Sequence, residues 1–348
     1  MLASTLAAVT AALAFLMAIA LLDQWRERRG PYQLAWAIGS LLFGVASAAE
    51  AIGAASGWSP ELFKVWYLAG AVLNAAWLGL GTAFLLGKTR FGYTYAALAG
   101  LGGVFTMLSQ AKNHYPDVGA LPILYLTFAL VLALAIGVET YFQNARWPRI
   151  AALGVIAITL LGTVLVVVAP LPAGNLALDI HGVPVLTPLP GSLRLLTPLM
   201  NVTGGLALIL GALFSAYVFM PKRRVLGYSL DPGQPGDHVL FNLLIAPIAI
   251  VVNFVASLPV ASAALVRGKL HSRVPATILI AVGALLVTGT DFGVKGGETT
   301  IFALSKLVSI GLIFAGFLIS IEAFREIRIP FTSIRIATGR REAGPEPT

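Results

Sequence analysis

Residues 241–265 read FNLLIAPIAIVVNFVASLPVASAAL, and the way this stretch meets a membrane decides the topology of the whole chain. It is long enough to cross, because a bilayer core takes about 20 apolar residues in helical form. Pro247 and Pro259 interrupt it, and Asn242 and Asn253 punctuate it. Proline removes a backbone donor and clashes with the preceding turn. A proline-broken segment, re-entrant or in-plane, therefore competes with a tilted full span. The basic residues discriminate between the two. If 241–265 enters and leaves on one side, 18 Lys and Arg residues fall on the cytoplasmic side and four (Lys64, Lys112, Arg194 and Lys295) outside. If it crosses, the tally becomes 11 against 11. Cytoplasmic loops carry the excess of Lys and Arg, so the first threading is expected, with the N-terminus outside and the C-terminus inside. Non-helical backbone at membrane depth must border protein or a water cavity, so a re-entrant form implies a cavity nearby.

Outward from that stretch, apolar runs separated by short basic breaks predict spans over 2–22, 32–55, 62–87, 92–110, 121–142, 149–170, 196–220, 276–293 and 299–323. The fold class expected is all-α: a polytopic transmembrane helix bundle of about nine spans plus one re-entrant or in-plane segment. The chain is 58% hydrophobic and 11% charged, with mean hydropathy +0.87. Soluble proteins carry about 25% charged residues, so water does not solvate most of this surface. The lipid bilayer is the expected partner, and the bacterial cytoplasmic (inner) membrane the expected location. The first apolar run has no basic leader, and Arg26, Arg28 and Arg29 follow it. That order is the reverse of a cleaved signal peptide and predicts a retained first helix.

Four blocks follow: a seven-helix block at 1–220, a cytoplasmic linker at 221–240, a C-terminal membrane block at 241–324, and a basic tail at 325–348. The linker contains Asp231-Pro232-Gly233 and Pro235-Gly236, and the tail is basic and then rich in proline and glutamate, a composition that predicts disorder. Between spans six and seven, Leu176–Leu186 alternates around His181-Gly182 and is expected to form a small hairpin.

The chain has no cysteine, which excludes disulfides, thiolate metal sites and cysteine nucleophiles. Its four histidines, His114, His181, His238 and His271, all lie in predicted loops. Haem needs axial ligands within the membrane, usually histidine, so no cofactor is expected. His114 with Asp117, and His181 with Asp179, lack ligand spacing for zinc. The net charge of +8 is explained by loop topology and does not call for a nucleic-acid partner. No serine–histidine, paired-carboxylate or HExxH arrangement is present, so no catalytic residue is assigned.

Ionisable side chains inside a bilayer are costly and face the bundle interior or water. Glu50 lies about five residues before the outer end of the second span, roughly 7 Å deep at 1.5 Å per residue. Lys306 lies roughly 10 Å below the outer surface by the same rise, and Asp291 ends the 276–293 span. These three predict one outward-facing polar site, with Lys306 paired to Glu50 or Asp291. The competing reading makes each separately interfacial, Lys306 reaching out to headgroups. Asn74 and Asn201 join the candidate set from spans three and seven, and such side chains more often bridge helices. Trp77 stands out as a tryptophan near mid-span, whereas Trp25, Trp36, Trp58, Trp66 and Trp147 fall near predicted span ends as belt residues do. Gly204-Gly205 reads as close helix packing.

From Trp36 to Leu86 the chain carries Trp36, Glu50 late in the same helix, then Lys64, Trp66-Tyr67, Gly70 and Trp77. This pattern resembles the N-terminal seven-transmembrane sensor region of bacterial membrane histidine kinases, over about 50 of 348 residues. The resemblance implies ligand or membrane-state sensing. No kinase domain follows, so output would pass to a separate signalling or membrane-complex partner. Three functional readings stand: a receptor-like or accessory protein with a small or lipidic ligand in the outer-half site, a transporter or channel using the broken segment, and a structural subunit of a membrane complex.

Overall fold

In the computed structural model, residues 2–171, 176–179, 182–227, 239–293, 299–320, 326–328 and 335–337 are described. Side chains are described for these residues apart from 239–244, 289–293, 299 and the last two short segments. The helices are α1 (Leu2–Arg28), α2 (Pro31–Ser56), α3 (Pro60–Trp66), α4 (Asn74–Leu85), α5 (Phe91–Asn113), α6 (Leu121–Tyr141), α7 (Trp147–Val168), α8 (Gly191–Arg194), α9 (Leu196–Phe219), α10 (Val239–Val266), α11 (Arg273–Gly293) and α12 (Thr299–Ile319). A π-helix, Tyr67–Leu73, joins α3 to α4 within one span. Prolines in the first turn start α2, α3, α6 and α7, where the missing N–H costs nothing. Ser59 caps α3, its hydroxyl accepting from Leu62 N at 3.1 Å.

Among the described residues, nine helices are long and apolar enough to cross a membrane, and the chain is a multi-pass membrane protein. Large apolar side chains such as Leu134, Leu153 and Val167 are more than two-thirds exposed, which suits lipid rather than water. The nine include Ile245–Val266, whereas the described apolar part of α11, Arg273–Thr288, is shorter.

The chain forms two compact units, Met1–Ala212 with Ala281–Phe314, and Leu213–Ile280 with Ala315–Thr348. In the first, the loops of one end are tied together. Trp147 Nε1 donates to Gly87 O at 2.9 Å, and Arg90 donates to the carbonyls of Thr140 and Tyr141. At the other end the expected hairpin forms around a bridge between Leu178 and Pro184, and Trp58 Nε1 donates to Gly182 O at 3.1 Å. Between the ends, α4 and α9 touch backbone to backbone. A methyl added at Gly79 would overlap Gly204, and one at Gly204 would overlap Ala75 and Ala76. The mid-span Trp77 is satisfied by Thr159, its Nε1 donating to that hydroxyl at 3.2 Å. Trp36 and Trp147 are buried within protein, 4% and 1% exposed, rather than serving as belt residues facing lipid.

In the second unit, 241–265 is helical throughout, the form that an in-plane segment or a full span takes and a re-entrant hairpin does not. Val239–Val266 is one continuous helix containing both Pro247 and Pro259, and no hairpin reversal occurs within it. Each proline deletes a single intrahelical bond, and the eleven residues between them hold no glycine or turn pair to reverse the chain. Asn253, read above as punctuation, is instead a clamp. Its Oδ1 accepts from Val225 N and Leu226 N at 2.7 and 2.9 Å, and its Nδ2 donates to Leu226 O at 2.8 Å. Ser257 Oγ, one turn on, accepts from Arg223 N at 2.9 Å. The segment 221–227 therefore runs antiparallel along the middle of α10. The end of α9 (Ala216, Tyr217, Met220), the later part of α10 (Ala261) and the start of α11 (Val274) share one core cluster. The side chain of Asn242 lies outside those described.

Part of the tail read as disordered is paired: β1 (Glu326–Arg328) and β2 (Arg335–Ala337) are antiparallel, with Ile327 opposite Ile336. Isoleucine favours extended backbone. Residues 338–348 lie outside those described.

Candidate functional site

Two charged residues 256 positions apart meet in the first unit. Lys306 Nζ lies 2.7 Å from Glu50 Oε2, a charge-assisted hydrogen bond between α12 and α2. Their side chains are 17% and 11% exposed, so the pair is largely withdrawn from its surroundings yet reachable. Lys306 Nζ also sits 4.0 Å from the centroid of the Phe302 ring, one turn earlier on α12. Of the two pairings expected for Lys306, the one with Glu50 is present; the side chain of Asp291, at the end of α11, lies outside those described.

Helix packing sets the position of the pair. Ser309 Oγ, on the turn after Lys306, donates to Gly283 O, which locks α12 against α11. One turn beyond Gly283 on α11, Thr288 presents its methyl toward Gly205 of α9, and its hydroxyl donates back to Ala284 O and Leu285 O. Asn201 lies one turn from Gly205 on α9, on the same side of that helix by the four-residue spacing. Its Oδ1 is buried without a hydrogen-bond partner among the described residues. An acceptor left in that condition costs free energy, which makes it the unsatisfied group beside this helix junction.

Asn74 is used locally, its Oδ1 accepting from Ala75 N where the π-helix gives way to α4. Tyr67, at the start of the π-helix, is buried with its hydroxyl 2.7 Å from Thr197 Oγ1 and 3.2 Å from Leu193 O. The contacts Tyr67–Thr197 and Gly79–Gly204 bracket Asn74 and Asn201 on the neighbouring helices. No hydrogen bond joins the two asparagines among the described residues. The structure thus brings Glu50 and Lys306 together, leaves Asn201 unsatisfied, and assigns Asn74 to the backbone.

The carboxylates near His114 and His181 accept from backbone N–H groups, Asp117 across to the start of α8 and Asp179 within its own loop. Asp117 Oδ2 accepts from Gly191 N at 2.9 Å, and Asp179 Oδ1 accepts from Val183 N at 3.2 Å. No cluster of three metal-ligating side chains occurs among the described residues. A separate cavity of about 30 Å³ lies between α4, α5, α6, α7 and α9, lined by Ala76, Tyr95, Phe128, Val155 and Met200. Its walls carry no charged side chain, so it offers no ionic anchor for a ligand. Sequence reasoning did not find Phe302, although its position four residues before Lys306 is the spacing that stacks two side chains on one helix face.

No protein-family model, curated protein or solved structure matches this chain.

Proposed function

We propose that the chain is a receptor-like or accessory protein of the bacterial cytoplasmic membrane, and that a small or lipidic ligand binds at the Glu50–Lys306 pair. The observation that carries this reading is the pair itself, two opposite charges held 2.7 Å apart by helices from opposite ends of the chain. An isolated charge in a span is costly, and packing alone is served by apolar and small residues. A carboxylate and an ammonium side by side recognise a ligand carrying the complementary charges. Asn201 Oδ1 is an unused acceptor among the described residues, on α9, which meets α11 at Gly205 and Thr288. The resemblance of 36–86 to kinase sensor regions supports sensing, with output to a separate partner. The transporter reading rests on a broken helix at 241–265, and that helix is continuous.

The orientation we propose is N-terminus outside and C-terminus inside, with 220–272 starting and ending on the cytoplasmic side. The shared cluster of Met220, Ala261 and Val274 supports it, because the chain leaves α9 and enters α11 at one place. The pair then lies in the outer half of the bundle.

The test is thermal melting of the purified full chain with a panel of small carboxylates, amines, amino acids and lysophospholipids. At least one class is expected to raise the melting midpoint of the parent, and Lys306→Met and Glu50→Gln are each expected to abolish that shift while melting cooperatively. Shifts of equal size in parent and variants would reject the pair as the site.

A further inference from the structure

Building on the threading proposed above, we infer that α10 lies in the plane of the cytoplasmic membrane surface, and that Lys222, Arg223, Arg224, Arg267, Lys269 and Arg273 bind anionic phospholipid headgroups there. The starting observation is where the segment 221–227 runs. It has no regular secondary structure, its residues from Lys222 onward are exposed, and Asn253 and Ser257 clamp it to α10. Asn253 is at the midpoint of the 28-residue helix Val239–Val266. If α10 stood upright across the membrane, that midpoint would fall near the bilayer centre. Three cationic side chains on irregular backbone would then lie in hydrocarbon, where neither lipid-exposed irregular backbone nor clustered charge is tolerated. With α10 lying flat, the clamped segment faces water and headgroups.

The faces of α10 agree with that placement. Ala249, Asn253, Ser257 and Ala261, spaced four apart, are buried beneath the segment and its neighbours. Ile248, Val251, Val255 and Leu258 form the opposite face and are 41–62% exposed. An apolar face of that kind seats about 5–10 Å into the boundary between headgroups and acyl chains.

The charges gather around the same helix end. Arg273 lies with its guanidinium carbon 4.2 Å from the Phe219 ring centroid, and the His271 ring is 5.0 Å from it. Lys222 Nζ is 5.4 Å from the Tyr217 ring, two residues earlier on α9. Both aromatic residues pack in the cluster that joins α9, α10 and α11, so the basic loops 222–224 and 267–273 form one patch. Between Leu213 and Ile280 the acidic residues are Asp231 and Asp237, both outside the described residues. Basic side chains near an anionic leaflet are drawn to its headgroups, so six in one patch give a preference that is measurable and sensitive to salt.

The experiment uses the full chain in phosphatidylcholine bilayers with a trace of spin-labelled phosphatidylglycerol or spin-labelled phosphatidylcholine. The motionally restricted fraction reports which lipid the protein holds. The anionic label is expected to be preferred several-fold, with the preference falling toward one as NaCl rises from 0.05 to 0.5 M. Replacing all six residues by glutamine is expected to remove most of the preference, and exchanging Lys for Arg and Arg for Lys at the same positions to retain it. Equal association of the two labels with the parent, a preference indifferent to salt, or a preference retained by the glutamine variant would each overturn the inference. Full competition by millimolar inorganic phosphate would assign the patch to free phosphate and overturn it as well. The salt series on the parent decides the matter if the glutamine variant does not fold. Accessibility of a cysteine at Ser272 reports the threading alone, so loss of lipid preference with Ser272 still cytoplasmic overturns only this inference.

Discussion

Replacing Lys306 by methionine leaves Glu50, 8% exposed, without its cation. Removing one partner of a buried pair costs about 3–5 kcal/mol, because the other charge stays desolvated; the residual exposure here lowers that toward about 2 kcal/mol. Lys306→Met is therefore expected to lower the melting midpoint clearly, and Glu50→Gln with Lys306→Met to recover more than half of the loss. Additive losses in the double variant would show that the two side chains do not interact. At Asn253 the expectation concerns a loop. Asn253→Ala removes the hydrogen bonds to the N–H groups of Val225 and Leu226, a net loss of about 0.5–1.5 kcal/mol each because water can replace them, which frees 221–227. Trypsin is then expected to cut after Arg223 or Arg224 at least about tenfold faster, since cleavage follows the open population; an unchanged rate would contradict the clamp. Glu50 and Lys306 were legible in the sequence because charges are rare in apolar spans and depth follows from counting residues. Asn253 was not, since its partners are backbone groups nearly 30 residues away and a polar residue between two prolines looks like a break.

Helices pack here through small residues. Gly79→Leu or Gly204→Leu forces α4 and α9 apart and is expected to destabilise by at least about 1–3 kcal/mol. Gly137→Leu, where nothing lies within 4 Å of an added Cβ, is expected to leave the melting midpoint within about 1 kcal/mol. Equal effects at the three positions would refute the close contact. Apolar length made the spans legible, and the alternation around His181-Gly182 marked the hairpin. The π-helix Tyr67–Leu73 was hidden, because YLAGAVL suits an ordinary helix equally well and the wider turn is set by tertiary packing. The continuity of α10 was hidden for a related reason: proline is read as a breaker, whereas an apolar helix of 28 residues absorbs two of them.

For the whole molecule, the distribution of basic residues and the meeting of α9, α10 and α11 at one cluster favour the same threading. The basic loops at 222–224 and 267–273 flank one core cluster, and α12 packs on α11 through Ser309 and Gly283; in the proposed threading that pair returns the chain inside. This threading puts Glu50 and Lys306 in the outer half and the cationic patch against the cytoplasmic leaflet, so both functional proposals depend on it. Charge counting points to it from the sequence, whereas the clamped segment and shared core that support it carried no sequence signal. The natural absence of cysteine makes the decisive measurement direct. With a single cysteine at Ser272, a membrane-impermeant maleimide is expected to leave the protein unlabelled in intact cells and to label it after permeabilisation. Labelling of Ser272→Cys in intact cells would place 267–273 outside and contradict the account.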